Sequence, residues 1–283
     1  VCADAGEFLA LLLKHQEKLV KKDRGEWLAY GRRLKEKYPI VSQQYWERTE
    51  LVNPYCLLDV LSRYMQPGDL YVSGSSGSCI DISMQAFRVK KGQRVFCTKG
   101  LASMGYGLPS AIGACLASGG RRTVCVNGDG GFAMNIQELE TIRRLSLPIK
   151  LFVWNNQGYG AIRATQTGLF GGHLVGCTKE SGMTLPQAAR VAAAYGLQTA
   201  VIQNHAELEE KVAKVLQMEG PVVCEVMTPI EVTAQPKQVS YKRADGQMES
   251  LPLEYMNPPL SKEEMRENML WQSDLQDKGG NLQ

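Results

Sequence analysis

Long hydrophobic runs are missing from this sequence. The longest apolar stretches, such as Leu9–Leu13 and Ile149–Trp154, fall far short of the roughly 20 residues a bilayer-spanning helix needs, so no membrane segment is expected. Concentrated charge of one sign is missing too. The formal net charge is only +3, with Lys and Arg scattered among acids. Nucleic-acid binding needs a dense basic surface, and none is legible. Paired cysteines are absent: eight are present, none in a CxxC pair, and several sit inside apolar segments such as Val124-Cys125-Val126. Such thiols behave as small buried hydrophobes, which points to free cysteines in a reducing cytoplasm. The only histidines, His15, His173 and His205, are isolated from one another, so a histidine-centred catalytic or zinc site is not expected. No basic stretch followed by a long apolar one opens the chain, so no secretory leader is expected. The chain starts at Val1 rather than methionine, and reads as a fragment.

Helix and strand signals alternate through most of the chain. Leu9, Leu12 and Leu13 have helical spacing, and a charged helix over Trp27–Tyr38 ends at Pro39, because the residue before proline is pushed out of helical geometry. From Asn53 the pattern predicts helices at Pro54–Met65, Pro109–Ala117, Ala133–Leu145, Leu185–Tyr195 and Leu208–Met218. Between them it predicts strands at Asp69–Ser73, Arg94–Cys97, Thr123–Val126, Ile149–Trp154, Gln198–Ile202 and Val222–Met227. Near-continuous apolar strands alternating with helices imply an α/β fold, a parallel sheet with helices on both faces. Such a sheet binds ligands at the carboxyl ends of its strands. After Thr228 the Pro- and Gln-rich tail reads as an extended arm with one short helix near Lys262–Leu270, and Gly279-Gly280-Asn281 as disordered.

Two strand ends carry unusual residues. Thr123–Val126 runs into Asn127-Gly128-Asp129-Gly130-Gly131-Phe132, and Ile149–Trp154 into Asn155-Asn156-Gln157-Gly158-Tyr159-Gly160. Glycines let backbone N–H groups approach an anion closely. An aspartate in such a loop repels an anion unless a cation lies between them. A hard cation such as Mg²⁺ takes oxygen ligands and shares phosphates. Neighbouring parallel strands with one crossover helix, Ala133–Leu145, would bring both loops to one sheet edge. Each loop read alone is equally a glycine-rich turn with an Asx motif.

The span GDGGFAMNIQELETIRRLSLPIKLFVWNNQGYG resembles the thiamine-diphosphate fingerprint, GDG followed some two dozen residues later by NN. CTKGLASMGYGLPSAIGA resembles the segment of acetolactate synthase-type enzymes that runs along the thiazolium and aminopyrimidine. ADAGEFL and WLAYGRRLKEKYPI are similar to the end of that family's central domain and the linker after it. The nearest group within the family is the acetolactate synthase-like one of surface-sugar biosynthesis clusters. The resemblance divides the chain into residues 1–50 (end of the central domain and linker), 51–230 (diphosphate-binding, or PP, domain) and 231–283 (C-terminal arm).

The resemblance implies thiamine diphosphate and Mg²⁺ as cofactors. Asp129 and Asn156 would be side-chain metal ligands and Gly158 a carbonyl ligand. Gly128, Gly130, Gly131 and Tyr159 would border the diphosphate, with Ser76, Gly77 and Ser78 on its other side. Met104 corresponds to the apolar wedge that bends the cofactor, and core packing is its bland alternative. Ala102 would offer its carbonyl to the 4′-amino group, where the family usually has glycine. Ser78-Cys79 replaces a Gln-His pair that borders the reacting centre, which puts acetolactate formation in doubt.

The glutamate that activates the cofactor sits, in this family, on a pyrimidine-binding domain, usually from the other subunit of a dimer. Nothing here resembles that domain, so no catalytic residue is assigned and the chain alone is expected to be inactive. The implied activity is decarboxylation of a 2-keto acid and transfer of the resulting carbanion to a carbonyl acceptor, in a full-length homodimer or homotetramer. Simple non-oxidative decarboxylation, a two-subunit enzyme, and a non-catalytic scaffold are the alternatives. FAD, bound largely by the central domain in some relatives, is not expected.

Overall fold

The computed structural model describes residues 2–269, apart from Thr49, Ser76 and Ala244. The chain divides into two compact units, Val1–Pro39 and Ile40–Gln283. In the first, α1 (Ala5–Lys14) is capped by Asp4, whose carboxylate accepts the N–H groups of Gly6 and Glu7. Helix α2 (Gly25–Lys37) stops before Pro39. Neither helix buries a residue, and Phe8, Leu9, Leu11, Leu12 and Leu13 are all exposed.

The second unit is built on a six-stranded parallel sheet. After α3 (Gln43–Glu47), Asn53 caps α4 (Pro54–Tyr64) by accepting the Tyr55 N–H, with Pro54 supplying a helical φ in the first turn. Then follow β1 (Leu70–Ser73), α5 (Gly77–Ala86), β2 (Arg94–Phe96), α6 (Gly107–Ala117) and β3 (Thr123–Gly128). Next come α7 (Asp129–Ala133), α8 (Glu138–Arg144), β4 (Ile149–Asn155), α9 (Gly160–Leu169) and α10 (Ala188–Ala194). Strand β5 (Gln198–Ile202), α11 (His205–Gln217) and β6 (Val222–Met227) close the sheet, whose order is β2-β1-β3-β4-β6-β5.

Alternation along the strands builds a core on each face. Val124, Val126, Phe152, Trp154, Cys224 and Val226 pack with α4 and α11 on one side. Cys125, Leu151, Val153 and Val223 pack with α6, α8 and α10 on the other. Both faces are therefore covered, which is why the strands read as continuous apolar runs. Val41, Tyr45 and Trp46 also pack on the first core, with Tyr45 stacked 5.0 Å from Tyr55.

Several elements depart from the sequence expectation. The expected helix Ala133–Leu145 is broken into α7 and α8. Across the break the N–H groups of Asn135, Glu138 and Leu139 bond three residues back, to Phe132, Asn135 and Ile136. Asn135, a weak helix former, uses its amide instead to donate to the Gly105 carbonyl at 2.8 Å. Helix α5, which is not among the helices the sequence pattern predicts, begins at Gly77. Helix α9 was not foreseen; it sits in a stretch with many glycines. The tail holds two small antiparallel ribbons, β7 (Lys237–Gln238) with β10 (Met256–Asn257) and β8 (Ser240–Lys242) with β9 (Met248–Ser250), before α12 (Lys262–Asn268). The segment Gly279-Gly280-Asn281 lies outside the described residues.

Candidate functional site

Strand β1 sends its chain toward β2 and β3 sends its chain toward β4, so the strand order reverses between β1 and β3. That is the place where an open α/β sheet forms a ligand crevice. The register levels the strand ends there: Ser73 lies beside Val126, Gly128 beside Trp154, and Asn155 beside Met227. The residues immediately after each strand therefore meet. A cavity of about 300 Å³ opens at this edge.

Asp129 begins α7, so the glycines after it belong to the first helical turn, where N–H groups have no partner within the helix. Its carboxylate is 5% exposed. Burial pushes its pKa up to about 6, countered in part by N–H donors from Gly130 and Gly158. Those bonds measure 2.8 Å to Oδ1 and 3.1 Å to Oδ2. No basic side chain pairs with it among the described residues.

Asn156 completes the arrangement. One terminal atom of its amide lies 3.2 Å from Asp129 Oδ1 and 2.9 Å from the Gly158 carbonyl oxygen. With Nδ2 there, the amide donates to both oxygens. With Oδ1 there, an amide oxygen stands beside a carboxylate oxygen and a carbonyl oxygen, at separations that two oxygens sharing one hard cation would show. No group of three or more His, Cys, Asp or Glu side chains forms a metal site among the described residues. The donors at this point are one carboxylate, one amide and one carbonyl, a set that suits a hard cation and not a soft one. The residues present therefore fit Mg²⁺.

Glycine is required at two points by contact. A Cβ on Gly130 would strike the Tyr159 ring, and one on Gly158, at φ +146°, would strike the Cys177 carbonyl. The first-turn backbone thus stays bare toward the cavity.

The structure brings most of the sequence-predicted residues together. Ser78, Ala102, Met104, Gly128, Asp129, Gly130, Gly131, Asn156, Gly158 and Tyr159 all line the one cavity. Ser76 is not among the described residues, and the surroundings of Gly77 are not described either. Ser78 lines the cavity with its hydroxyl donating to the Val232 carbonyl at 3.1 Å. Cys79 is both wall and core, 2% exposed and packed with Ile82 and Val126.

Ser75, Trp154 and Thr228 are wall residues that sequence reasoning missed, and Pro229 and Val232 join the wall from the start of the tail, which was expected to border the substrate. Ser75, Thr228 and Pro229 lie within two residues of the carboxyl ends of β1 and β6, and the strand-end rule alone would have found them. Val232 reaches the site only because the tail turns back over it. Trp154 is 4% exposed and its Nε1 has no hydrogen-bond partner among the described residues.

Comparison with known proteins agrees with this geometry. Residues 75–226 match the model of the thiamine pyrophosphate enzyme C-terminal TPP binding domain. The mitochondrial acetolactate synthase catalytic subunit of Aspergillus candidus is 29% identical over 238 residues, covering 83% of this chain and 34% of that protein. Acetolactate synthase 3, chloroplastic, of Brassica napus is 29% identical over 236 residues, 81% of this chain and 36% of its own length. The acetolactate synthase large subunit of Porphyra purpurea is 30% identical over 217 residues, 76% and 35% of the two chains. The chain thus spans about a third of the length of these relatives. A doubly covered parallel sheet, a GDG turn meeting an NN turn at its edge, and a family match across more than half of the chain lead to one conclusion: this chain belongs to the thiamine pyrophosphate enzymes, as their C-terminal TPP-binding domain.

Proposed function

We propose that this chain is the thiamine-diphosphate- and Mg²⁺-binding portion of an acetolactate synthase-like enzyme. That enzyme would decarboxylate a 2-keto acid and transfer the remaining fragment to a carbonyl acceptor. The observation that carries the reading is the meeting of Asp129, Asn156 and Gly158 at the mouth of a cavity walled by bare glycine backbone. Asp129, the Asn156 amide oxygen and the Gly158 carbonyl would hold the metal, and the first-turn N–H groups of α7 would face the diphosphate. When bound, the cofactor supplies the electron sink that C–C cleavage beside a carbonyl needs.

The remaining work falls to residues of this chain and of a partner domain. Met104, 38% exposed on the cavity wall, would wedge the cofactor into its bent shape, and the Ala102 carbonyl would hold its amino group. The activating glutamate would come from a pyrimidine-binding domain, most simply within a homodimer or homotetramer of the full-length protein. The chain alone would then be inactive. Ser78 and Cys79, at positions where the family carries Gln-His, favour non-oxidative decarboxylation as the second reading. The division at residues 50 and 230 is proposed on the same resemblance. The eight free cysteines support a reducing compartment. Among the described residues no helix is long and apolar enough to cross a membrane.

Calorimetric titration with thiamine diphosphate, with and without Mg²⁺, tests the reading. Binding is expected to require Mg²⁺ and to disappear in Asp129→Ala and Asn156→Ala. Binding indifferent to Mg²⁺ would overturn it, and no binding at all would favour the scaffold alternative. Adding the pyrimidine-binding domain and following CO₂ release from pyruvate tests the division of the active site; turnover by the chain alone would refute that part.

A further inference from the structure

Glu225 is a buried carboxylate, 4% exposed, on an inner strand of the sheet. It stands on β6 beside Val153 of β4, and shares its face with Val223, which is packed in the apolar core under α10. Burying a carboxylate is costly unless its oxygens are satisfied. Here Oε1 accepts from Asn155 Nδ2 at 2.6 Å and Oε2 accepts the Ala189 N–H at 3.1 Å. No Lys, Arg or His pairs with it among the described residues.

The first of these bonds fixes which way the Asn155 amide faces. With Nδ2 committed to Glu225, Oδ1 is turned back to accept the Gln157 N–H at 3.1 Å. That bond closes the turn in which Gln157, a non-glycine residue, holds φ +60° and Gly158 holds φ +146°. A left-handed residue other than glycine costs about 1 kcal/mol, so the turn needs such a tether. The same turn carries Asn156 and presents the Gly158 N–H to Asp129 Oδ2 at 3.1 Å.

We infer that Glu225 is a positioning residue for the metal-binding turn: through the Asn155 amide it sets where Asn156 and Gly158 stand relative to Asp129. This rests on the reading of Asp129, Asn156 and Gly158 as metal ligands. Glu225 touches neither cofactor nor metal. It acts at second remove, where loss of such a group typically weakens metal binding roughly 10–100-fold.

Polarity supplies the test. In Glu225→Gln the introduced amide needs its oxygen for the Ala189 N–H, so its nitrogen confronts Asn155 Nδ2. Asn155 must then turn over and release the Gln157 N–H. In Asn155→Asp two carboxylates oppose each other. Combining the two restores every bond, because the introduced carboxylate accepts both from the introduced amide and from the Gln157 N–H. The measurement is the Mg²⁺ concentration that half-saturates thiamine diphosphate binding, read by thermal shift in the full-length protein, beside the melting point of the metal-free form.

The expected result is a rise of roughly 10–100-fold in half-saturating Mg²⁺ for each single variant, largely reversed in the pair. If Glu225→Gln does not fold, Asn155→Asp against the pair gives the same decision. A fall in metal-free melting point with no change in Mg²⁺ requirement would make Glu225 merely structural and overturn the inference. So would a pair no better than its single variants. If the unsubstituted protein shows no Mg²⁺-dependent binding, the metal-site reading fails and takes this inference with it.

Discussion

Ala102 holds φ at +49° in the loop between β2 and α6, a conformation glycine adopts freely and alanine does not. The departure from the family's usual glycine keeps the carbonyl but adds strain. Ala102→Gly is therefore expected to stabilise the metal-free fold by about 1 kcal/mol, measured by urea unfolding. Gly130 presents the opposite constraint. Because a Cβ there meets the Tyr159 ring, Gly130→Ala is expected to abolish cofactor binding or to weaken it at least tenfold, which calorimetry would show. The GDG turn around Asp129 was legible because its residues are consecutive, whereas its meeting with Asn156 and Gly158 joins positions 27 and 29 residues further along the chain. The orientation of Ser78 was not legible, since its hydroxyl partner, Val232, lies 154 residues away.

Helices α7 and α8 show how a side chain can divide an element. Periodicity over Ala133–Leu145 suits one helix, but the Asn135 amide is spent on the Gly105 carbonyl. Asn135→Ala removes that bond and should cost about 1 kcal/mol, with faster amide hydrogen exchange in residues 100–106 as its local signature. Strands were easier to read than helix ends, because burial on both faces writes itself as an uninterrupted apolar run. Helix α9 lies in a stretch broken by glycines, from Gly158 to Gly172, which reads as loop. Helix α4 announced itself with Asn53-Pro54, a cap and a first-turn proline.

Away from the site, the opposite end of the sheet holds a charge of its own. Lys150, the second residue of β4, is 1% exposed and donates to the carbonyls of Met218 and Gly220, just after α11. Desolvation, aided by the nearby Arg122 guanidinium, pushes its pKa down to about 8. A lysine in the unfolded chain titrates near 10.4. Between those values the unfolded state binds more protons, so the stability Lys150 contributes rises as pH rises through that window. Relative to Lys150→Met, the unsubstituted protein should gain on the order of 1–3 kcal/mol between pH 7 and pH 10, as urea melts at the two pH values would show. Comparing the two proteins cancels the opposite effect of the buried cysteines, whose thiols burial pushes up, Cys56 to about 12.

Consecutive residues were enough to settle the fold class and the cofactor. Alternating apolar strands and helices dictate a covered parallel sheet, and two short glycine-bearing turns carry the thiamine-diphosphate fingerprint within their own few residues. The tertiary structure alone decided how those turns face each other. It set the register that levels Gly128 with Trp154, the return of the tail that brings Thr228 and Val232 to the cavity, and the Glu225–Asn155 bond across two strands. The physical reason is range: backbone propensity and periodicity act over one turn or one strand, whereas a buried hydrogen bond joins groups that only the finished sheet places side by side.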